Sequence, residues 1–95
     1  MFYAIIAKDH QNSLDKRLAH RPAHLARIKV LQDHGKLLLA GPFPAIDSID
    51  PGLDGFTGSL IVAEFSSLDE AILWAHEDPF YTSGGYASVE VKPFR

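Results

Sequence analysis

RPAHLARIKVLQDHGKLLLAGP, residues 21–42, holds a helix start, an amphipathic helix, a glycine stop and an apolar strand in one run. The residue before a proline avoids the helical region, and proline suits the first helical position, so a helix is expected to begin near Pro22. His24, Ile28 and Leu31 recur at i, i+4 and i+7, flanked by Leu25. Arg27, Lys29, Gln32 and Asp33 cover the other side. Gly35 is a left-handed stop. Lys36–Ala40 reads as a short strand closed by Gly41-Pro42. One residue departs from this pattern: His24 occupies a position on the apolar stripe.

Working outward, Phe2–Lys8 is aromatic and β-branched and reads as a buried strand. Asp9–Ser13 is polar and turn-like, and Asn12 or Ser13 is placed to cap a short helical turn carrying Leu14 and Leu18. After residue 40 the composition changes. GPFPAIDSIDPGLDGFTG, residues 41–58, has the glycines, prolines and aspartates of a long connection, and long connections inside small domains are commonly functional. Ser59–Phe65 is a strand. Ser67 with Glu70 fits a capping box, and Leu68, Ala71, Ile72 and Ala75 follow at helical spacing. That second helix must stop before Pro79, which leaves Glu77 and Asp78 at the negative end of its dipole. Thr82–Gly85 is a turn, and Tyr86–Phe94 alternates as a half-exposed final strand.

The order β-α-β-β-α-β predicts an α+β, ferredoxin-like fold: a four-stranded antiparallel sheet with two helices on one face. Its other face would be bare. Apolar residues on both parities of residues 2–7 and 60–65 predict that a second copy covers it, as a homodimer packed sheet to sheet.

Ninety-five residues make one domain, residues 1–95, large enough for a core without staples. There are no cysteines, which excludes disulfides, thiolate metal sites and a cysteine nucleophile. Nine basic residues lie scattered in a chain of net charge −3, so no basic face is available for nucleic acid. The apolar start MFYAIIAKDH is interrupted at once by Asp9 and His10 and lacks a basic leader. It reads as a strand, with no membrane span and a cytoplasmic setting expected.

The topology brings the start of the first helix and the end of the second to the same end of the sheet. His24, read as one turn into its helix, is therefore expected beside Asp78. A carboxylate fixes an imidazole's tautomer and stabilises its protonated form, so this pair is a candidate general base or acid. The alternative reading is a core histidine bonded to a carbonyl, with Asp-Pro merely ending a helix. His20 and His24 have a metal-like i, i+4 spacing but no third ligand, so no metal is expected. No glycine-rich phosphate motif is present, and no cofactor is expected. Arg21 and Arg27 are candidates to neutralise an anionic substrate. Gly41 and Pro42 are candidates for a pocket floor, and Phe80 for core or pocket wall.

RPAHLARIKVLQDHGKLLLAGPFPAID, GFTGSLIVAEFSSLDEA, WAHEDPF and VKPF together resemble the YciI-like (YCII-related) family over nearly the whole chain. The resemblance implies the dimeric α/β-barrel form of the ferredoxin-like fold. It also implies an active site built on the histidine of RPAHL and the aspartate of the Asp-Pro-aromatic turn, here His24 and Asp78. The family and its fold relatives include a dehydrochlorinase of a chlorinated hydroxyhydroquinone and muconolactone isomerase. Two functions follow as expectations: a cofactor-independent lyase or isomerase moving a proton on a small cyclic or aromatic substrate in a cleft, or a non-catalytic ligand-binding module with a structural histidine.

Overall fold

The computed structural model describes residues 1–95. In chain order it has β1 (Phe2–Asp9), α1 (Leu14–Asp33), β2 (Leu37–Pro44), β3 (Phe56–Glu64), α2 (Leu68–His76), a one-turn α3 (Pro79–Thr82) and β4 (Tyr86–Phe94). The strands form one antiparallel sheet in the order β2-β3-β1-β4. This is the α+β ferredoxin-like fold expected from the element order. No helix is long and apolar enough to cross a membrane.

Strand side chains alternate between faces, and the registers sort them. Tyr3, Ile5 and Ala7 of β1 pair with Ala63, Ile61 and Ser59 of β3, and all six are buried. This is the helix side, where Ile5, Ile61 and Ala63 pack with Ile28 and Leu31 of α1 and Ala75 of α2. The opposite parity places Phe2, Ala4 and Ile6 with Val62 and Leu60, and Leu39 and Phe43 on the flanking strand. That outer face carries no helix.

The structure departs from the sequence reading in three places. The first is Pro22, which does not start a helix; it sits inside α1. A proline in a helix interior costs about 3 kcal/mol. Opposing this, Arg17, His24, Ile28 and Leu31 fall on one face and are buried only if the helix runs unbroken through Pro22. Pro22 itself is exposed, so the carbonyl left without its N–H partner lies on the solvent side. The far end behaves as read. Gly35 is left-handed at φ 69°, its N–H donates to the Gln32 carbonyl, and the Lys36 N–H donates to that of Leu31.

The second departure is the connection expected over residues 41–58, which is shorter. Gly41, Pro42, Phe43 and Pro44 continue β2, pairing with Leu60, Ser59, Gly58 and Phe56. Gly41-Pro42 does not close the strand, because β2 lies at the sheet edge and has one neighbour only, so proline's missing N–H breaks few ladder bonds. At Gly58 a Cβ would lie 1.9 Å from the Ala7 carbonyl oxygen, so only glycine fits.

The third concerns Asp78. The Ser67 cap is present, its hydroxyl accepting from the Glu70 N–H at 3.1 Å. Asp78, however, is not left against an unfavourable dipole. It is the N-cap of α3, its carboxylate accepting from the Phe80 N–H at 2.9 Å.

Candidate active site

His24 lies about three turns into α1, not one, because the helix begins at Leu14. It still meets Asp78. The α3 turn packs on α1 and directs the Asp78 carboxylate at the imidazole. His24 Nδ1 is 2.9 Å from Oδ1 and 2.8 Å from Oδ2 of Asp78. Both residues are buried, at 6% and 2% exposure. The imidazole also stacks on Phe80, centroids 3.9 Å apart and planes 11° apart. With Nδ1 held by the carboxylate and the ring plane held by Phe80, one tautomer is favoured: Nδ1 carries hydrogen and Nε2 offers a lone pair.

Nε2 has no protein partner and is not sealed from solvent. His24 forms part of the wall of a cavity of about 590 Å³ between α1 and the β2–β3 half of the sheet. Leu18, Leu25, Ile28, Leu37 and Ile61 make the cavity predominantly apolar. Its polar members are Arg17, Arg21, His24 and Ser59. Such an apolar cleft with few convergent polar groups is the usual form of a small-molecule site.

Of the residues singled out from sequence, the structure brings His24, Arg21, Gly41, Pro42 and Phe80 onto this cavity, with Asp78 behind the imidazole. Arg21 is exposed and makes no salt bridge. Arg27 does not belong there. Its Nη2 donates to the Trp74 carbonyl at 2.8 Å and its guanidinium lies 4.4 Å over the Trp74 ring. That engages it in packing α1 on α2, outside the lining of this cavity. No group of three or more His, Cys, Asp or Glu is gathered in a metal-binding arrangement.

Sequence reasoning missed a second polar cluster under the cavity. Arg17 is 7% exposed, and its guanidinium is the centre of the cluster. It donates to Asp9 at 2.6 and 3.0 Å, to the Gly58 carbonyl at 2.8 Å and to the Ser59 hydroxyl at 2.9 Å. It also lies 5.1 Å from the Phe80 ring and 5.7 Å from that of Tyr86. Two signals were available. Asp9 and Ser59 share the inward parity of Ile5 and Ile61, and Arg17 is seven residues before His24. The second is visible only if α1 is continuous.

Tyr86 joins this cluster through a β-bulge. The β1–β4 register shifts between Lys8 and Asp9, so Asp9 pairs with Tyr86 and Ala87 is extra. An unbroken alternation would have turned Tyr86 to the outer face with Glu90 and Lys92; the extra residue turns it inward. Its ring meets Phe80 edge-on at 5.6 Å. Burial, with smaller contributions from the Asp78 and Asp9 charges, pushes its phenol up to about 12. Ser59 and Arg17 pull the other way. The Tyr86 hydroxyl lies beside Ser59 but in no direct hydrogen-bond geometry with any group.

The folded state therefore keeps the Tyr86 proton where the unfolded chain loses it. Stability is expected to fall as pH rises from 10.0 towards about 12, by roughly 2 to 3 kcal/mol. Urea unfolding across that range checks it: Tyr86→Phe should show a visibly shallower slope, and an unchanged slope would contradict the assignment.

The family model for the YCII-related domain matches residues 1–95. The chain is 57% identical to the protein YciI of Escherichia coli over 95 residues, covering all of this chain and 97% of that protein. It is 53% identical to an uncharacterized protein of Haemophilus influenzae over the same span. Among solved structures it superposes on the 5-chloro-2-hydroxyhydroquinone dehydrochlorinase of Burkholderia phenoliruptrix, in complex with 2,5-dihydroxybenzoquinone. The TM-score is 0.87 at 29% identity, over 100% of this chain and 94% of that one.

Proposed function

The chain belongs to the YCII-related family, and from that premise we propose that it is a small-molecule enzyme of the lyase or isomerase type, moving a proton without a cofactor on a small cyclic or aromatic substrate. One observation carries the reading. His24 Nδ1 is pinned by both oxygens of Asp78, while Nε2 is left free at the wall of an apolar cavity. That is the arrangement of a general base: the acceptor faces the substrate, and the carboxylate behind it stabilises the imidazolium that forms. Phe80 holds the ring plane. Arg21, free of ion pairs at the cavity rim, offers a bidentate partner for a substrate carboxylate or phenolate. The dehydrochlorinase neighbour acts on a hydroxylated ring, and a ring of that size suits a cavity of this volume and lining.

A structural histidine in a binding module would have Nε2 closed off by the protein, and here it is not. The test is a ligand panel of hydroxylated aromatics, 2,5-dihydroxybenzoquinone and small cyclic acids, followed by crystal soaks. Density within reach of Nε2 is the expected result. Density confined to other surfaces would remove the cavity from consideration.

The outer sheet face bears on the same reading. Phe2, Ile6, Leu39, Phe43 and Leu60 lie together there, with Glu90 and Lys92 of opposite charge at its rim. A contiguous apolar face with a mixed-charge rim suits a two-fold contact with a second copy, in which each copy's Lys92, paired with its own Glu90 at 3.3 Å, can exchange that exposed partner for the other copy's Glu90. Sedimentation is expected to give twice the chain mass for the wild type and a monomer for Leu60→Lys. A monomeric wild type would count against the dimer without touching the cavity.

A further inference from the structure

Beneath the His24 side of the cavity, the Ser59 hydroxyl has a direction that its partners dictate. A serine hydroxyl has one hydrogen and two lone pairs, and a guanidinium has hydrogens only. Arg17 Nη2 donates to Ser59 Oγ at 2.9 Å, so Ser59's own hydrogen points elsewhere. No protein atom accepts it in hydrogen-bond geometry; the one neighbour that competes for it is the Tyr86 oxygen, which lies outside that geometry yet feels Ser59 as a pull towards its anionic form. Ser59 lines the cavity. It is 3% exposed and Arg17 7%, so the pair sits where donors are strengthened by the low local dielectric. Arg17 cannot turn away. Asp9 holds its Nε and Nη2 together, and the Gly58 carbonyl also accepts from Nη2.

Resting on the reading of His24 as the base, we infer that Ser59 donates its hydrogen bond to the substrate's ring oxygen and holds the negative charge that develops there when His24 takes a proton, with Arg17 as the residue that positions it. The substrate class is then a ring carrying a carbonyl oxygen conjugated to the carbon that loses hydrogen. The C–H bond breaks, its proton goes to Nε2, and its electron pair passes through the ring to the oxygen, giving an enolate bound by Ser59. Return of that proton from Nε2 to a different ring carbon moves the double bond and restores neutral histidine. A preorganised donor at the site of growing charge is a large contributor to such steps.

4-Nitrophenol tests this without a known reaction, because only its anion is yellow and the ionisation of bound probe is read directly. The wild type is expected to favour the anion and lower the apparent pKa of bound probe. Ser59→Ala is expected to weaken anion binding about tenfold while leaving the neutral form unchanged, raising the bound pKa by about one unit. Ser59→Cys keeps the side chain's shape with a weaker donor and should shift in the same direction, which covers a failure of the alanine variant to fold. The Ser59 effect should persist in a His24→Gln background. A serine that only braced the fold would weaken both probe forms alike. Equal bound pKa values in wild type and the Ser59 variants would overturn the Ser59 assignment and leave His24 standing. Absence of probe binding in every variant would overturn the cavity as the site, and both readings with it.

Discussion

His24→Gln is expected to lower turnover of the true substrate by about 10²- to 10⁴-fold, the range that a positioned general base contributes. Glutamine is the informative replacement because its amide can still donate to Asp78 and lie against Phe80, as the imidazole does at 2.8 Å and 3.9 Å. It has no basic nitrogen to take a proton. The loss should therefore fall on kcat, with substrate binding and unfolding temperature close to wild type. Asp78→Asn should be less severe for chemistry, since it leaves Nε2 in place but loses the charge that stabilises the imidazolium. It retains an acceptor for the Phe80 N–H. Steady-state kinetics with circular dichroism separates these expectations. Full activity in His24→Gln would end the proton-transfer reading.

Arg17→Met is expected to have the largest effect on stability. Asp9 would remain buried, its carboxylate 2% exposed, with its guanidinium partner gone. Removing one member of a buried ion pair destabilises by about 3–5 kcal/mol, because the other charge is left without compensation. For a domain of this size that corresponds to a fall in Tm on the order of 20 °C. Ser59 and the Gly58 carbonyl lose a donor in the same change. The double variant Asp9→Leu/Arg17→Met should recover most of the loss, since no buried charge then remains. Thermal unfolding of the two variants decides the point. A single variant within about 1 kcal/mol of wild type would mean that water reaches Asp9 more freely than its burial indicates.

The fold was legible because periodicity carries it: the apolar runs of β1 and β3, the Ser67 cap and the Gly35 stop each follow from local chemistry. What failed were the places where distant packing outweighs local preference. Pro22 reads as a helix start, and only the shared face of Arg17, His24, Ile28 and Leu31 shows why the helix passes through it. That misreading also hid Arg17. Pro42 and Pro44 read as loop, since whether a strand lies at an edge depends on the order of the sheet. Asp78 reads as ending one helix; its role in starting the next depends on the single turn of α3. Tyr86 shares the parity of Glu90 and Lys92, and the bulge that reverses it leaves no mark in the residues themselves. The His24–Asp78 contact was anticipated from topology and from the family resemblance, although the helix that carries His24 starts eight residues earlier than Pro22.

Both open margins of the sheet carry prolines: Pro42 and Pro44 in β2, and Pro93 in β4. An unprotected margin is a template on which a further strand can lay itself down, and repeated addition of that kind is how fibrils grow. A proline interrupts the row of N–H donors that the incoming strand would need. The strand that floors the cavity is thereby also a guard against misassembly, and a Pro42→Val/Pro44→Val chain would be the one to watch for aggregation on concentration.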